Sequence, residues 1–128
     1  MKIVGNFLGS RIKSIGHALR GLKDILSTEH NAWIHAVSTI LSLSLALWLR
    51  IDFVEFVLII LVITLVWVAE AFNTVLEIVV NMVSPRYSKV AKRAKDIAAG
   101  AVLVAAIGAA MVGLALLLPP LCAKFQVC

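Results

Sequence analysis

The sequence is poor in charged residues, cysteine and proline, and these shortages exclude several classes of protein. Only 15% of the 128 residues are charged and 62% are apolar, compared with roughly 45–50% apolar residues in soluble globular proteins. An ordinary soluble domain needs more polar surface, and a disordered chain has fewer apolar residues. Two cysteines are too few for a disulfide scaffold, and no Cys-x-x-Cys pair offers a zinc site. The mean hydropathy of +1.02 instead predicts a small integral membrane protein.

Three apolar runs, at residues 33–49, 53–83 and 97–118, are candidates for membrane spans. The first and third contain no charged residue and, as helices, cover about 25 Å and roughly 33 Å. Ser84-Pro85 is expected to end the second span, with a polar segment that becomes helical after Pro85, and Pro119-Pro120 is expected to end the third. Apolar and basic side chains alternate at helical spacing through residues 1–29, which predicts an amphipathic helix on the inner leaflet. The predicted fold is therefore all-α, with three transmembrane helices and an N-terminal surface helix in one domain, 1–128.

The distribution of basic residues predicts how these spans are oriented. The net charge is +5, but its 12 Lys and Arg residues are grouped at span ends, which argues for membrane flanks rather than for a nucleic-acid partner. Five precede the first span, five lie between the second and third, and Arg50 and Lys124 mark the other two flanks. Because cytoplasmic flanks collect Lys and Arg, we expect a cytoplasmic N-terminus and an outer C-terminus. Cys122 and Cys128 fall in that outer segment, where a disulfide is compatible with the sequence but not required by it.

Two carboxylates, Glu70 and Glu77, lie in the second span beyond its first turn, which contains Glu55. Each costs about 2.5–3.5 kcal/mol near the centre of a membrane helix. At 100° per residue, Glu70, Asn73 and Glu77 share one narrow stripe, which must face protein or water. A purely structural contact between helices is the alternative, but Ser or Asn would serve that purpose. No Lys or Arg in any predicted span neutralises Glu70, so the stripe favours a functional role.

Two more polar clusters lie at the predicted cytoplasmic rim, within residues 29–35 and 92–96. Carboxylates there suit Mg²⁺ together with phosphate oxygens, and Lys95 suits a phosphate. These clusters predict phosphate chemistry on a substrate that arrives within the membrane. A small proton-coupled transporter would explain Glu70, but it leaves Glu29, Glu77 and Lys95 without a role. A non-catalytic scaffold explains none of the carboxylates.

The polar motifs also resemble those of one known family. Glu70-x-x-Asn73-x-x-x-Glu77, then Ser84-x-x-Tyr87, then Ala94-Lys95-Asp96-x-x-x-Gly100-Ala101-Val102-Leu103 resembles the prokaryotic diacylglycerol kinase family, which includes undecaprenol kinases. The similarity runs from about Gly16 to Leu118. That family lacks a Gly-x-x-x-x-Gly-Lys-Ser/Thr phosphate loop and a protein-kinase signature, and neither occurs here. The resemblance implies Mg²⁺- and ATP-dependent phosphorylation of a lipid hydroxyl, on diacylglycerol or undecaprenol, by a homotrimer in the bacterial inner (plasma) membrane.

The resemblance also implies roles for individual residues. Glu70 matches the catalytic acid/base, and Glu29 and Glu77 match the carboxylates that bind the metal ion on the nucleotide. Asn73, Lys95 and Asp96 match residues that position the nucleotide and its γ-phosphate.

Other residues near these motifs have open roles. His35 is expected to orient Glu29, to contact nucleotide, or to be a plain interfacial histidine; Asn31 shares its helix face. Tyr87 either extends to the inner interface or lines the nucleotide site. Two positions depart from the family pattern: Asn81 replaces an Asp, and Trp33 replaces an Arg that is usual in undecaprenol-type members.

Overall fold

Four helices and short connections account for the part of the chain that the structure describes. In the computed structural model, the backbone of residues 2–127 and the side chains of residues 11–127 are described. The helices are α1 (Lys2–Thr28), α2 (His30–Leu49), α3 (Phe53–Val83) and α4 (Lys89–Phe125). Helices α2, α3 and α4 are long and apolar enough to cross a membrane, which confirms the prediction of an all-helical chain with three apolar spans.

The N-terminal helix carries large apolar side chains on its exposed surface. Ile12, Ile15, Leu19 and Leu22 are exposed, whereas Ile25, near the end of α1, is buried. The part of the amphipathic pattern that falls on residues 1–10 lies outside the described side chains. Placement of α1 on the inner leaflet stays a prediction.

Side-chain and backbone caps set the helix ends. Glu29 is extended, with φ −99° and ψ 116°, and separates α1 from α2. Asp52 and Glu55 form a reciprocal capping box at the start of α3. Ser84-Pro85 ends α3, as predicted, but the chain does not become helical directly after Pro85. The Ser88 hydroxyl instead accepts the Ala91 N–H and starts α4 at Lys89.

The prediction that Pro119-Pro120 ends the last helix is wrong, because α4 continues through both prolines to Phe125. Each proline removes one backbone donor, and contacts between elements hold the turns that follow. The Lys124 ammonium donates to the Trp48 carbonyl at 3.4 Å and lies over the Trp48 ring. Phe125 also packs against Trp48, with ring centroids 6.0 Å apart. The last turn of α4 is therefore anchored to the end of α2. Cys122, in this segment, is disulfide-bonded, and Cys128 lies outside the described residues.

The three apolar helices pack loosely, and few side chains are buried. Helix α3 packs most extensively against α4, and α2 makes smaller contacts with both. Ala46, Ile59 and Leu117 form a buried cluster near the α2–α3 connection. Large apolar side chains are exposed along all three helices, as expected for surfaces covered by lipid or by another chain. Against this sparse core, the burial of one acidic side chain about three turns after Ile59 in α3 is unusual.

Candidate functional site

Glu70 is a buried carboxylate in α3. It is 1% exposed, and neither carboxyl oxygen has a hydrogen-bond partner among the described residues. Its backbone carbonyl accepts from the Thr74 hydroxyl at 3.0 Å, a bond within the same helix. A buried ionisable group without a hydrogen bond is costly. A buried carboxylate of this kind is typical of a functional residue rather than of one that stabilises the fold.

The imidazole of His35, on α2, faces Glu70. His35 Nε2 lies 3.7 Å from Glu70 Oε2, and the His35 side chain is 13% exposed. The distance is too long for a hydrogen bond, but the two polar groups are in direct contact. The structure thus places His35 beside the candidate base, Glu70, and a role of His35 in orienting Glu29 stays a prediction.

Trp67 lies one turn before Glu70 and contacts the same part of α2. Its ring meets the His35 ring edge-on, with centroids 6.4 Å apart and planes at 68°. Its indole N–H donates to the Thr39 hydroxyl at 3.1 Å. Sequence reasoning missed this arrangement. The available signal was that Trp67 and Glu70 are three residues apart on one helix, and His35 and Thr39 four apart on another.

A cavity of about 240 Å³ opens next to the carboxylate. It brings together four residues singled out from the sequence: Asn31, His35, Glu70 and Asn73. The rest of its wall is apolar and comes from Ile34 and from α4, through Ala99, Val102, Leu103 and Ala106. A larger apolar cavity of about 520 Å³ shares Ile34, His35 and Ala106 with it and extends to Leu121. A polar group at Glu70 is thus continuous with an apolar space between the helices.

Glu77 and Lys95 form an ion pair about two turns along α3 from Glu70. The Lys95 ammonium donates to Glu77 Oε1 at 2.9 Å, and both side chains are partly exposed. The pair joins α3 to α4 and brings together two residues that the sequence assigned to the nucleotide site. Partly exposed pairs add little stability, with a typical value below about 1 kcal/mol. The ion pair is therefore too weak to account for the two residues by stability alone.

Glu29 is close enough to Glu77 and Glu70 to be affected by their charges. Partial burial raises the pKa of the Glu29 carboxyl, and the nearby carboxylates of Glu77 and Glu70 raise it further. Among residues 11–127, no three His, Cys, Asp or Glu side chains lie close enough to hold a metal ion by themselves. Mg²⁺ bound with a nucleotide needs only one or two carboxylates, because phosphates and water complete its shell. The carboxylates of Glu29 and Glu77, which repel each other, therefore fit a site for Mg²⁺.

Asp96 and Tyr87 lie apart from the cavity. Asp96 is exposed and accepts from Lys92 at 2.7 Å, one turn earlier in α4. Tyr87 is 81% exposed in the connection between α3 and α4. Their assignment to the nucleotide site stays a prediction.

The raised pKa of Glu29 makes a prediction about stability. A carboxyl that binds its proton more tightly in the folded protein destabilises the fold when ionised, so the penalty is absent at low pH and present above the folded pKa. We expect Glu29→Gln to raise Tm by roughly 2 °C at pH 7 and to leave it unchanged near about pH 4. Thermal unfolding in detergent at the two pH values measures this. A lower Tm at pH 7 would contradict the assigned repulsion.

The chain is similar in sequence to several known proteins. The model of the family described as prokaryotic diacylglycerol kinase matches residues 16–117. The chain is 40% identical over 109 residues to a diacylglycerol kinase of Synechocystis sp., a match that covers 84% of this chain but 62% of that protein. It is 34% identical over 116 residues to the undecaprenol kinase of Bacillus subtilis, covering 91% of this chain and 94% of that one. A diacylglycerol kinase of Escherichia coli is 33% identical over 96 residues, covering 75% and 79% of the two chains.

Proposed function

Because this chain belongs to the prokaryotic diacylglycerol kinase family and is a lipid kinase, we propose that it transfers the γ-phosphate of ATP to the hydroxyl of a membrane lipid alcohol. The lipid is diacylglycerol, which gives phosphatidic acid, or undecaprenol, which gives undecaprenyl phosphate. The matched part of the Synechocystis relative is less than two thirds of that protein, and the three relatives are named for two different lipids. The transfer assay described below therefore includes both lipids.

The observation that carries the proposal is the buried carboxylate of Glu70. It lies beside a cavity that continues into apolar space between helices. A lipid alcohol combines one hydroxyl with a long apolar chain. Glu70 offers a base for the hydroxyl, and the apolar space between the helices offers a path for the chain. The Glu77–Lys95 pair lies about 10 Å along the helix axis from Glu70. That spacing suits a phosphate donor at the rim and an acceptor deeper in the membrane.

The chemistry follows from these positions. Glu70 takes the proton of the lipid hydroxyl while the oxygen of that hydroxyl attacks the γ-phosphorus of ATP. The bond between the γ-phosphorus and the bridging oxygen breaks, and ADP leaves with that oxygen. Lys95 stabilises the charge that spreads over the transferring phosphoryl group, and Asn73 positions the nucleotide. Asp96 is assigned to the nucleotide as well, after leaving its surface pair with Lys92.

Glu29 and Glu77 are the residues that would bind Mg²⁺. The fit is supported by the raised pKa of Glu29, one cause of which is repulsion from Glu77. When bound, the ion would neutralise phosphate charge in the transition state. Lys95 bonds only Oε1 of Glu77, so Oε2 would be free to bind the ion while the neighbouring ammonium interacts with the γ-phosphate.

The assembly and orientation are part of the same proposal. We assign the chain to the bacterial inner membrane as a homotrimer with a cytoplasmic N-terminus and an outer C-terminus. Extensive exposed apolar surface on α2, α3 and α4 supports assembly, because such surface in a membrane protein is covered by lipid or by another chain. The exposed apolar residues of α1, Ile12, Ile15, Leu19 and Leu22, support its placement on the inner leaflet. The alternative of a small proton-coupled transporter is not favoured, because the relatives are lipid kinases.

A transfer assay in detergent tests the proposal. The purified chain is supplied with ATP labelled on the γ-phosphate, Mg²⁺, and diacylglycerol or undecaprenol in parallel. We expect labelled phosphate on one of the two lipids, at least tenfold faster than on the other, and no transfer without a divalent ion. Transfer to neither lipid by a sample with a sharp unfolding transition would contradict the proposed activity.

A further inference from the structure

The environment of Glu70 contains a single basic partner among the described side chains, and it is a histidine. His35 Nε2 and Glu70 Oε2 are 3.7 Å apart. Both atoms are buried, and neither has a hydrogen-bond partner elsewhere in residues 11–127. A movement of less than about 1 Å would bring them to hydrogen-bond distance. Catalytic hydrogen bonds often reach their final length only in the reacting complex, so the present separation is compatible with such a bond.

The imidazole is held in this orientation by a second contact between the same helices. The rings of Trp67 and His35 are in a T-shaped contact. The indole of Trp67 is in turn fixed by its hydrogen bond to Thr39 at 3.1 Å. Thr39 lies one turn after His35 on α2, and Trp67 lies one turn before Glu70 on α3. The four side chains therefore form a bracket between α2 and α3, in which His35 has little freedom to turn away from the carboxylate.

From this bracket we infer that His35 is a positioning residue for Glu70. Its Nε2–H donates to Oε2 of the carboxylate and leaves Oε1 to accept the proton of the lipid hydroxyl. The inference rests on the proposed function, since it assigns His35 a part in the action of Glu70 as a base. A carboxylate with one oxygen bonded to a fixed donor presents the other in a single direction. Without that donor, the Glu70 side chain keeps its rotamer freedom and its free oxygen is not aimed.

Kinetics of two His35 variants test the role. In the full chain we expect His35→Ala to lower kcat by roughly 10- to 100-fold, with the KM for ATP and the Mg²⁺ requirement within twofold of wild type. His35→Gln has an amide donor of similar reach and is expected to recover kcat to within about threefold of wild type. His17→Gln is the matched control, because His17 is an exposed histidine of α1 that contacts Arg20. It should leave all three constants unchanged.

A spectroscopic measurement tests the contact without relying on turnover. In the wild-type protein, the ¹⁵N shifts of the His35 ring should report Nε2 as the nitrogen that carries the hydrogen, because that atom faces the Glu70 carboxylate at 3.7 Å. We expect them to change in Glu70→Ala and to remain unchanged in Glu29→Gln. Equal His35 shifts in wild type and Glu70→Ala would overturn the inference.

The outcomes separate this inference from the proposed function. Wild-type kcat in a folded His35→Ala variant overturns the role of His35 and leaves the kinase proposal intact. A raised KM for ATP at unchanged kcat also overturns it, because His35 would then contact the nucleotide. No phosphate transfer by the wild type to either lipid overturns the proposed function, and with it any role for His35 in that reaction.

Discussion

Replacing Glu70 with glutamine is expected to lower kcat by about 10²- to 10⁴-fold while Mg-ATP binds as tightly as to wild type. The amide keeps the size of the side chain but cannot take a proton from the lipid hydroxyl. Because Glu70 is 1% exposed and its oxygens lack hydrogen bonds within the described chain, removing its charge should not lower Tm. A loss of activity without a loss of stability is typical of a residue that is retained for function.

The measurements are initial rates of lipid phosphorylation and a separate titration of Mg-ATP binding. Glu55→Gln is the matched control, since it makes the same substitution in α3 at the far end of the helix. Glu55 belongs to a capping box, and glutamine also accepts the bond from the Asp52 N–H. The control should retain wild-type rates. Turnover near wild type in Glu70→Gln would remove the assignment of Glu70 as the base.

The second large effect is expected at the Glu77–Lys95 pair. We expect Glu77→Gln to raise the Mg²⁺ concentration for half-maximal activity by roughly tenfold or more, because one of two carboxylates assigned to the ion is lost. Lys95→Met should lower kcat/KM for ATP by about 100-fold through loss of charge stabilisation at the γ-phosphate. Lys89→Met, at an exposed position of the same helix, is the control for Lys95→Met and should keep wild-type values.

Exchanging the charges of Glu77 and Lys95 distinguishes a catalytic role of the pair from a purely structural one. In Glu77→Lys combined with Lys95→Glu, the ion pair between α3 and α4 can form again in the opposite sense. If the pair only joins the helices, both Tm and activity should return. We expect Tm to return and activity to stay low, because the carboxylate and the ammonium then occupy each other's places relative to metal and phosphate. Recovery of full activity by the exchanged variant would show that the pair is structural.

Much of the fold follows from local patterns in the sequence. The three apolar spans were identified by length and composition, and the structure has three helices of that character. Ser84-Pro85 marked the end of α3 because the residue before a proline is driven away from helical geometry. The prediction from Pro119-Pro120 was wrong. The two prolines lack backbone N–H donors, but the helix continues because its following turns contact Trp48. The same local rule thus succeeded at a free end and failed where a neighbouring helix supplied contacts.

For the candidate site, the sequence by itself determined that Glu70, Asn73 and Glu77 share one face of a helix, because helical periodicity is a property of consecutive residues. Which side chains meet that face was decided only by the tertiary structure. The rotation of α2 brings His35 to Glu70, and the packing of α4 brings Lys95 to Glu77 across 18 positions of sequence. Helix rotation and axial offset arise from how side chains of separate helices interlock, and no pattern within one helix specifies them.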